Sequence, residues 1–262
     1  MQTGLKDRVV ILAAASRGIG RACADLFARE GSKLAICSRD EKQIETAAQE
    51  LRDAYSVDVL SRAIDVTNEK AVHGFVNAVA EKFGRVDVCF TNAGGPPARN
   101  FLSLSSDDWR KAFELNFMST VHFARAVIPW MQKNRWGRLI TLTSVSVKQP
   151  IPDLVLSNSV RAGIMGLVRS LANEFGRDGI TVNNVGPGYT ATDRLKELAA
   201  TRALAAGVNQ QEMFDRWARD TAVGRVADPS EVANAVLWLA SEGAAMVTGQ
   251  TILVDGGSYK GL

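Results

Sequence analysis

The feature that most constrains this chain is a regular alternation between short apolar runs and longer amphipathic stretches. Strand-like runs fall at Val9–Ala13, Lys33–Ser38, Asp58–Ala63, Val86–Asn92, Arg138–Ser144, Thr181–Val185 and Thr251–Val254. Helical periodicity occupies Gly18–Glu30, Glu41–Ala54, Glu69–Phe83, Asp107–Asn134, Asn158–Gly176 and Ser230–Ala240. Repeated strand–helix units imply right-handed crossovers and parallel strands, and strands covered on both faces are apolar along their whole length. The pattern predicts an α/β fold: a doubly wound parallel β-sheet of about seven strands with helices on both faces. Asp107 and Ser230 are predicted N-caps, with Pro229 just ahead of its helix. No repeat or linker interrupts the pattern, so residues 1–262 read as one domain. A charged, Ala-rich insertion from Asp193 to about Thr221 follows the sixth strand. A strand's carboxyl end borders the ligand crevice in such sheets, so the insertion is a candidate lid; an added surface helix pair is the alternative.

Composition removes several classes of function. A net charge of +3 with no Lys/Arg block argues against nucleic acid. Cys23, Cys37 and Cys89 sit in apolar runs without a Cys-x-x-Cys pair, as buried reduced thiols do. His73 and His122 lie on separate helical patterns, so no metal is expected. Lys6-Asp7-Arg8 before Val9–Ala15 mimics a secretory signal, but the apolar run is too brief and leads straight into a glycine turn. No apolar run approaches a membrane span. A reducing, cytoplasmic setting and no membrane partner are expected.

That glycine turn, Ser16-Arg17-Gly18-Ile19-Gly20, joins the first strand to the first helix. Glycines there let backbone N–H groups approach a pyrophosphate, and the helix N-terminus adds a favourable dipole. With the alternation this points to a Rossmann-type dinucleotide site. The second strand ends Cys37-Ser38-Arg39, where an acidic residue would hold a free ribose 2′-hydroxyl. Ser38 can donate to a 2′-phosphate and Arg39 can pair with it, with Arg17 as a second cation, so NADP is favoured over NAD.

With these features the chain resembles the short-chain dehydrogenases/reductases, in particular the 3-oxoacyl-carrier-protein reductase-like branch. Ser16–Gly20 is similar to the end of the family's glycine motif, although Ala13-Ala14 replace its opening Thr-Gly. Asp65-Val66 resembles the pair whose Asp contacts the adenine, and Asn92-Ala93-Gly94 the turn after the fourth strand that borders the cofactor. Asn116 and Ser144 fall at positions of the family's catalytic group. Pro187-Gly188 with Thr192 resembles the segment holding the nicotinamide end, and Arg225–Gly257 the C-terminal region. The resemblance implies a small-molecule substrate and a homotetramer or homodimer.

The catalytic helix departs from the pattern. The family's Tyr and, four residues on, Lys are here Ser157 and Arg161. In the family the Lys cation lowers the phenol's pKa so that it can serve as acid or base. A serine is far more basic once deprotonated, and arginine does not relay protons. General acid–base catalysis is worth roughly 10²–10⁴-fold, so its loss weakens turnover without forbidding it. Tyr189 and Lys148 are possible substitutes, with a packing role for Tyr189 and a loop position for Lys148 as the plainer readings; the stiff Gly95-Pro96-Pro97 loop has no role legible in the sequence. Two functions remain open. One is an NADP(H)-dependent oxidoreductase acting on a carbonyl or hydroxyl group through Asn116, Ser144, Ser157 and Arg161. The other is a dinucleotide-binding protein without useful turnover, serving as a sensor or assembly partner.

Overall fold

The computed structural model describes residues 3–261. Seven parallel strands form one sheet in the order β3-β2-β1-β4-β5-β6-β7: β1 Val9–Ala13, β2 Lys33–Ser38, β3 Val59–Ala63, β4 Val88–Thr91, β5 Gly137–Leu142, β6 Ile180–Pro187 and β7 Thr251–Val254. This is the Rossmann-type arrangement. The order reverses direction between β1 and β4, which opens a crevice beyond the carboxyl ends of these strands.

Side-chain alternation divides the core. Val10 and Leu12 of β1 point into an apolar layer under α1 (Gly18–Arg29), α2 (Glu41–Tyr55) and a helix near the C-terminus, Pro229–Ala240. Val9, Ile11 and Ala13 point into the opposite layer, under α3 (Glu69–Phe83) and two long helices that follow β4 and β5. Both faces of β1 are therefore dry, and all five of its residues are buried. Cys23, Cys37 and Cys89 are free and buried, and burial pushes the Cys37 thiol up to about 12. Among the described residues no cluster could hold a metal, and no helix is long and apolar enough to cross a membrane.

Four local expectations are corrected. The stretch read as one helix from Asp107 to Asn134 is α4 (Ser106–Phe113) and α5 (Ser119–Asn134) joined by a π-helical turn, Glu114–Met118. Its N-cap is Ser105, not Asp107; the Ser105 hydroxyl and the Asp108 carboxylate bond each other's backbone N–H. After α6 (Val155–Phe175) come α7 (Asp193–Ala206), α8 (Gln210–Asp220) and α9 (Pro229–Ala240), and α9 is capped by Asp228 with Glu231 rather than by Ser230. Strand ends shift by one or two residues; β5 stops at Leu142, leaving Ser144 to open a 3-10 turn, Val145–Val147.

The insertion is α7 and α8, which share a small core of Leu195, Ala199, Ala203, Met213 and Trp217. Arg194 Nη2 donates to Pro96 O at 2.8 Å and Arg202 Nη2 to Pro152 O at 2.8 Å, so α7 is tied to the loops after β4 and β5. This gives the Gly95-Pro96-Pro97 loop a role that the sequence did not disclose: it presents a carbonyl to α7.

Candidate active site

The turn between β1 and α1 is built by backbone geometry. Gly18 has φ of 59° and Ala14 a φ of 51°, both left-handed, so alanine holds the conformation that the usual glycine would take freely. Gly20 is required for another reason: a Cβ there would overlap the carbonyl oxygen of Ala14. The helix and strand thus approach as closely as the chain allows. No side chain caps α1, whereas Asp40 caps α2 and Asn68 caps α3. The first-turn N–H groups of α1 are left for an anion, as a pyrophosphate site requires.

Two adjoining cavities extend from this turn. One, about 320 Å³, is lined by Ser16, Arg17, Ser38, Arg39, Val66 and Asn92–Gly94, among others. This chemistry fits a phosphorylated adenosine: an apolar wall at Val66 and, at the rim, Arg17, Ser38 and Arg39 beside the Asp40 carboxylate, which is engaged in capping α2. Ser38 Oγ donates to Asp40 O at 3.2 Å, and Arg39 is exposed. Asp65 lies outside the lining; its carboxylate accepts from Thr67 N at 2.9 Å and Thr67 Oγ1 at 2.8 Å, which shapes the turn carrying Val66. His122, buried on α5, donates from Nδ1 to Val66 O at 3.3 Å, a supporting contact that sequence reasoning did not find.

The second cavity, about 440 Å³, brings Arg17, Gly18 and Ile19 together with Asn92–Gly94, Ser144, Ser157, Arg161, Pro187 and Thr192. Gly20 and Gly188 are not in its lining. Residues from five segments of the chain therefore converge where the sheet order reverses. Asn116, 5 % exposed in the π turn, donates from Nδ2 to Gly94 O at 2.8 Å; it steadies the Asn92–Gly94 turn. Ser144 Oγ accepts from Ser146 N at 3.1 Å, so its own proton is free to donate into the cavity. Asn158 clamps Ile151 through both its amide atoms, at 2.9 and 3.3 Å, and fixes the loop leading to Ser157.

Arg161 is 8 % exposed, and its Nη1 donates to Leu142 O at 3.0 Å and Thr143 O at 3.4 Å. Burial, with the neighbouring Arg194 charge, pulls its pKa down to about 10, so it stays a cation at neutral pH. Tyr189 is elsewhere: its ring stacks on Trp217 at 5.1 Å and lies outside the cavity holding Ser144, Ser157 and Arg161. Burial raises its phenol pKa, the wrong direction for an acid–base group at pH 7. Lys148 is exposed and also outside the cavity.

Comparison with known proteins agrees with this geometry. Residues 13–259 match a family model described as enoyl-(acyl carrier protein) reductase. The chain is 33 % identical to the 3-oxoacyl-(acyl-carrier-protein) reductase FabG of Vibrio cholerae over 97 % of this chain and 98 % of that protein. The chain belongs to the short-chain dehydrogenase/reductase family. Among solved members of the family, L-sorbose reductase from Gluconobacter frateurii, crystallised with NADPH and L-sorbose, superposes with a TM-score of 0.95 over 100 % of both chains at 30 % identity. Actinorhodin polyketide ketoreductase with NADPH gives 0.93 at 31 % identity, over 97 % of this chain and 98 % of that one.

Proposed function

We propose that this family member is an NADP(H)-dependent oxidoreductase that reduces a carbonyl group, or oxidises the matching hydroxyl, through an active site of Ser144, Ser157 and Arg161. One observation carries the reading: the left-handed Gly18 turn, the Ser38–Arg39 corner and the Ser144–Ser157–Arg161 group line two adjoining cavities at the sheet's reversal point. The NADPH bound to the sorbose and polyketide reductases supports the cofactor, and the FabG relatives make a 3-oxoacyl compound a substrate to test first.

In this reading Arg17, Gly18, Ile19 and the α1 N-terminus hold the pyrophosphate, Ser38 and Arg39 the 2′-phosphate, and Val66 the adenine face. Asn92–Gly94, Pro187 and Thr192 border the nicotinamide end. The bound cofactor supplies the hydride. Ser144 and Ser157 donate hydrogen bonds to the substrate oxygen, and Arg161 faces the negative charge that gathers there. Neither serine is acidic enough to give up its proton unaided, so the final proton comes from water reaching the open side of the crevice. Residues 1–262 act as one domain, α7 and α8 serve as its lid, and the assembly is a homodimer or homotetramer.

Calorimetry with NADPH, NADP⁺ and NAD⁺, followed by NADPH consumption with 3-oxoacyl thioesters and simple ketones, tests the proposal. Binding of the phosphorylated cofactor with turnover is expected. No heat with any dinucleotide overturns it. Tight binding without consumption favours a cofactor-binding protein that serves as a sensor or assembly partner, a reading the missing phenol–lysine pair supports.

A further inference from the structure

The apolar layer beneath α6 changes character as it nears the active site. Leu139 of β5 and Val182 of β6 are buried in it with Ile164 and Val168 of α6. Two residues further along each strand, on the same face, come Thr141 and Asn184, paired directly across the two strands and 2 % and 0 % exposed. A side-chain amide placed there is costly unless its hydrogen bonds are met. Here they are met from both sides. Asn184 Oδ1 accepts from Thr141 Oγ1 at 2.8 Å, and Nδ2 donates to Thr143 Oγ1 at 2.8 Å and to Thr251 Oγ1 of β7 at 3.4 Å. One buried amide therefore ties three strands together.

The strands that this amide joins are the two that end in the site. β5 stops at Leu142, and beyond it Thr143 N still bonds Val185 O at 2.9 Å. Ser144 follows at once and lines the larger cavity. The bond from Asn184 thus anchors the last side chain before Ser144, while the Thr143 carbonyl accepts from Arg161 Nη1 at 3.4 Å. On the other strand Asn184 stands three residues before Pro187, which closes β6 and lines the same cavity. A bond between these strand ends fixes Ser144 relative to Pro187, and so sets the group that meets the substrate oxygen against the nicotinamide end. Asn184 itself lines neither cavity. Apolar groups of the same shape can replace a buried hydrogen-bonded pair with little change in stability, whereas a satisfied polar network specifies one arrangement of the groups around it. What the amide adds to this layer is position.

We infer that Asn184 is a positioning residue: through Thr143 it holds Ser144 in register with Pro187, without itself touching substrate or cofactor. This rests on the oxidoreductase reading and extends it into the layer behind the site. Thr251 provides the control, because it meets the same amide from β7, a strand that carries none of the residues proposed to act on substrate or cofactor.

The test compares N184L, T143V, T143S and T251V by NADPH consumption, by calorimetry with NADPH, and by backbone hydrogen exchange across residues 142–148. Displacing a reacting group by about 1 Å can cost about 10²-fold in rate, so the smaller shift expected in N184L and T143V should lower kcat by about tenfold. NADPH affinity should stay unchanged, and exchange across 142–148 should quicken several-fold in the same two variants. T143S keeps the hydroxyl and should recover most of the rate, and T251V should match the unaltered protein in both rate and exchange. If N184L does not fold, T143V and T143S carry the test. Full turnover in N184L and T143V overturns the inference. So does a loss in T251V equal to theirs, which would make the amide a general stabiliser of the sheet. An unaltered protein that binds NADPH but consumes none with any carbonyl is a different result: it overturns the oxidoreductase reading and this inference with it.

Discussion

At the amino ends of the strands, Asp87 is wholly buried, yet it accepts from Val9 N at 2.9 Å and lies between Arg8 and Arg85; Arg8 in turn stacks on Trp136 at 3.9 Å. At the carboxyl ends, Arg161 is almost as deeply buried and has two carbonyls and a repelling neighbour. The same sheet therefore treats buried charge in two ways. Asp87 is met by two guanidiniums and a backbone N–H, whereas Arg161 has two carbonyls and keeps donors that open on the cavity. The difference teaches where to look for chemistry in such a fold: donors left without a partner beside a cavity are available to whatever enters it.

The largest effect expected from breaking this contrast is catalytic. Replacing Ser157→Tyr together with Arg161→Lys restores a phenol beside a titratable amine. NADPH consumption on a neutral ketone should then rise by about 10²–10⁴-fold. No rise with a folded double variant would show that the pocket is not arranged around a carbonyl.

Stability separates the ends next. Asp87→Ala strands Arg8 and Arg85 and removes the acceptor for Val9 N, so urea titration should show a loss of about 3–5 kcal/mol with cofactor affinity unchanged. Arg161→Met removes a charge that has no counter-ion but also the bonds to the Leu142 and Thr143 carbonyls, and the same titration should shift by the smaller amount of about 1–2 kcal/mol while turnover falls. Comparable losses for the two variants would abolish the distinction.

A smaller effect concerns cofactor choice. Arg39→Asp places a carboxylate where the 2′-phosphate is proposed to sit. The ratio of NADPH to NADH affinity should fall by about tenfold, the size expected for one charge-assisted contact.

The smallest lies at the rim. Arg225 holds Glu231 through two bonds of 2.6 Å, and with Asp228 N this pulls the Glu231 carboxyl down to about 2. A lowered carboxylate pKa contributes stability that is present above pH 4.5 and is lost as pH falls through about 2. Acid titration of Glu231→Gln should therefore diverge from the unaltered protein above pH 4.5 and converge with it near pH 2. The gap should be slight, because the pair is exposed to solvent and screened.

Much of this architecture is legible in the sequence, for physical reasons that also set the limit. Val9–Ala13 and Lys33–Ser38 fall at their observed boundaries because Val9–Ala13 and residues 34–37 are unbroken apolar runs, buried throughout. Gly18 and Gly20 are legible because backbone geometry leaves few substitutes. The N-cap of α4 is not legible because Ser105-Ser106-Asp107-Asp108 offers four competent caps in a row, and only the reciprocal Ser105–Asp108 pair distinguishes them. The π turn at Asn116 is invisible to periodicity, since the apolar stripe continues through it. Arg194 could not be foreseen as a cavity residue because its partner, Pro96, lies 98 positions away in the chain. The family resemblance locates Ser157 and Arg161 in the sequence, but the lack of a counter-ion at Arg161 is a three-dimensional fact.

Ala14 has a consequence of its own. Left-handed backbone costs an L-residue with a Cβ about 1–2 kcal/mol, whereas glycine adopts it freely but loses more entropy on folding. The first penalty exceeds glycine's entropic cost of about 0.5–1 kcal/mol, so Ala14→Gly should raise the melting point slightly. The exchange also changes stiffness: the alanine turn has fewer conformations to wander through before and after the dinucleotide lands. Its signature is kinetic, a longer residence time for the nucleotide on the native chain than on Ala14→Gly.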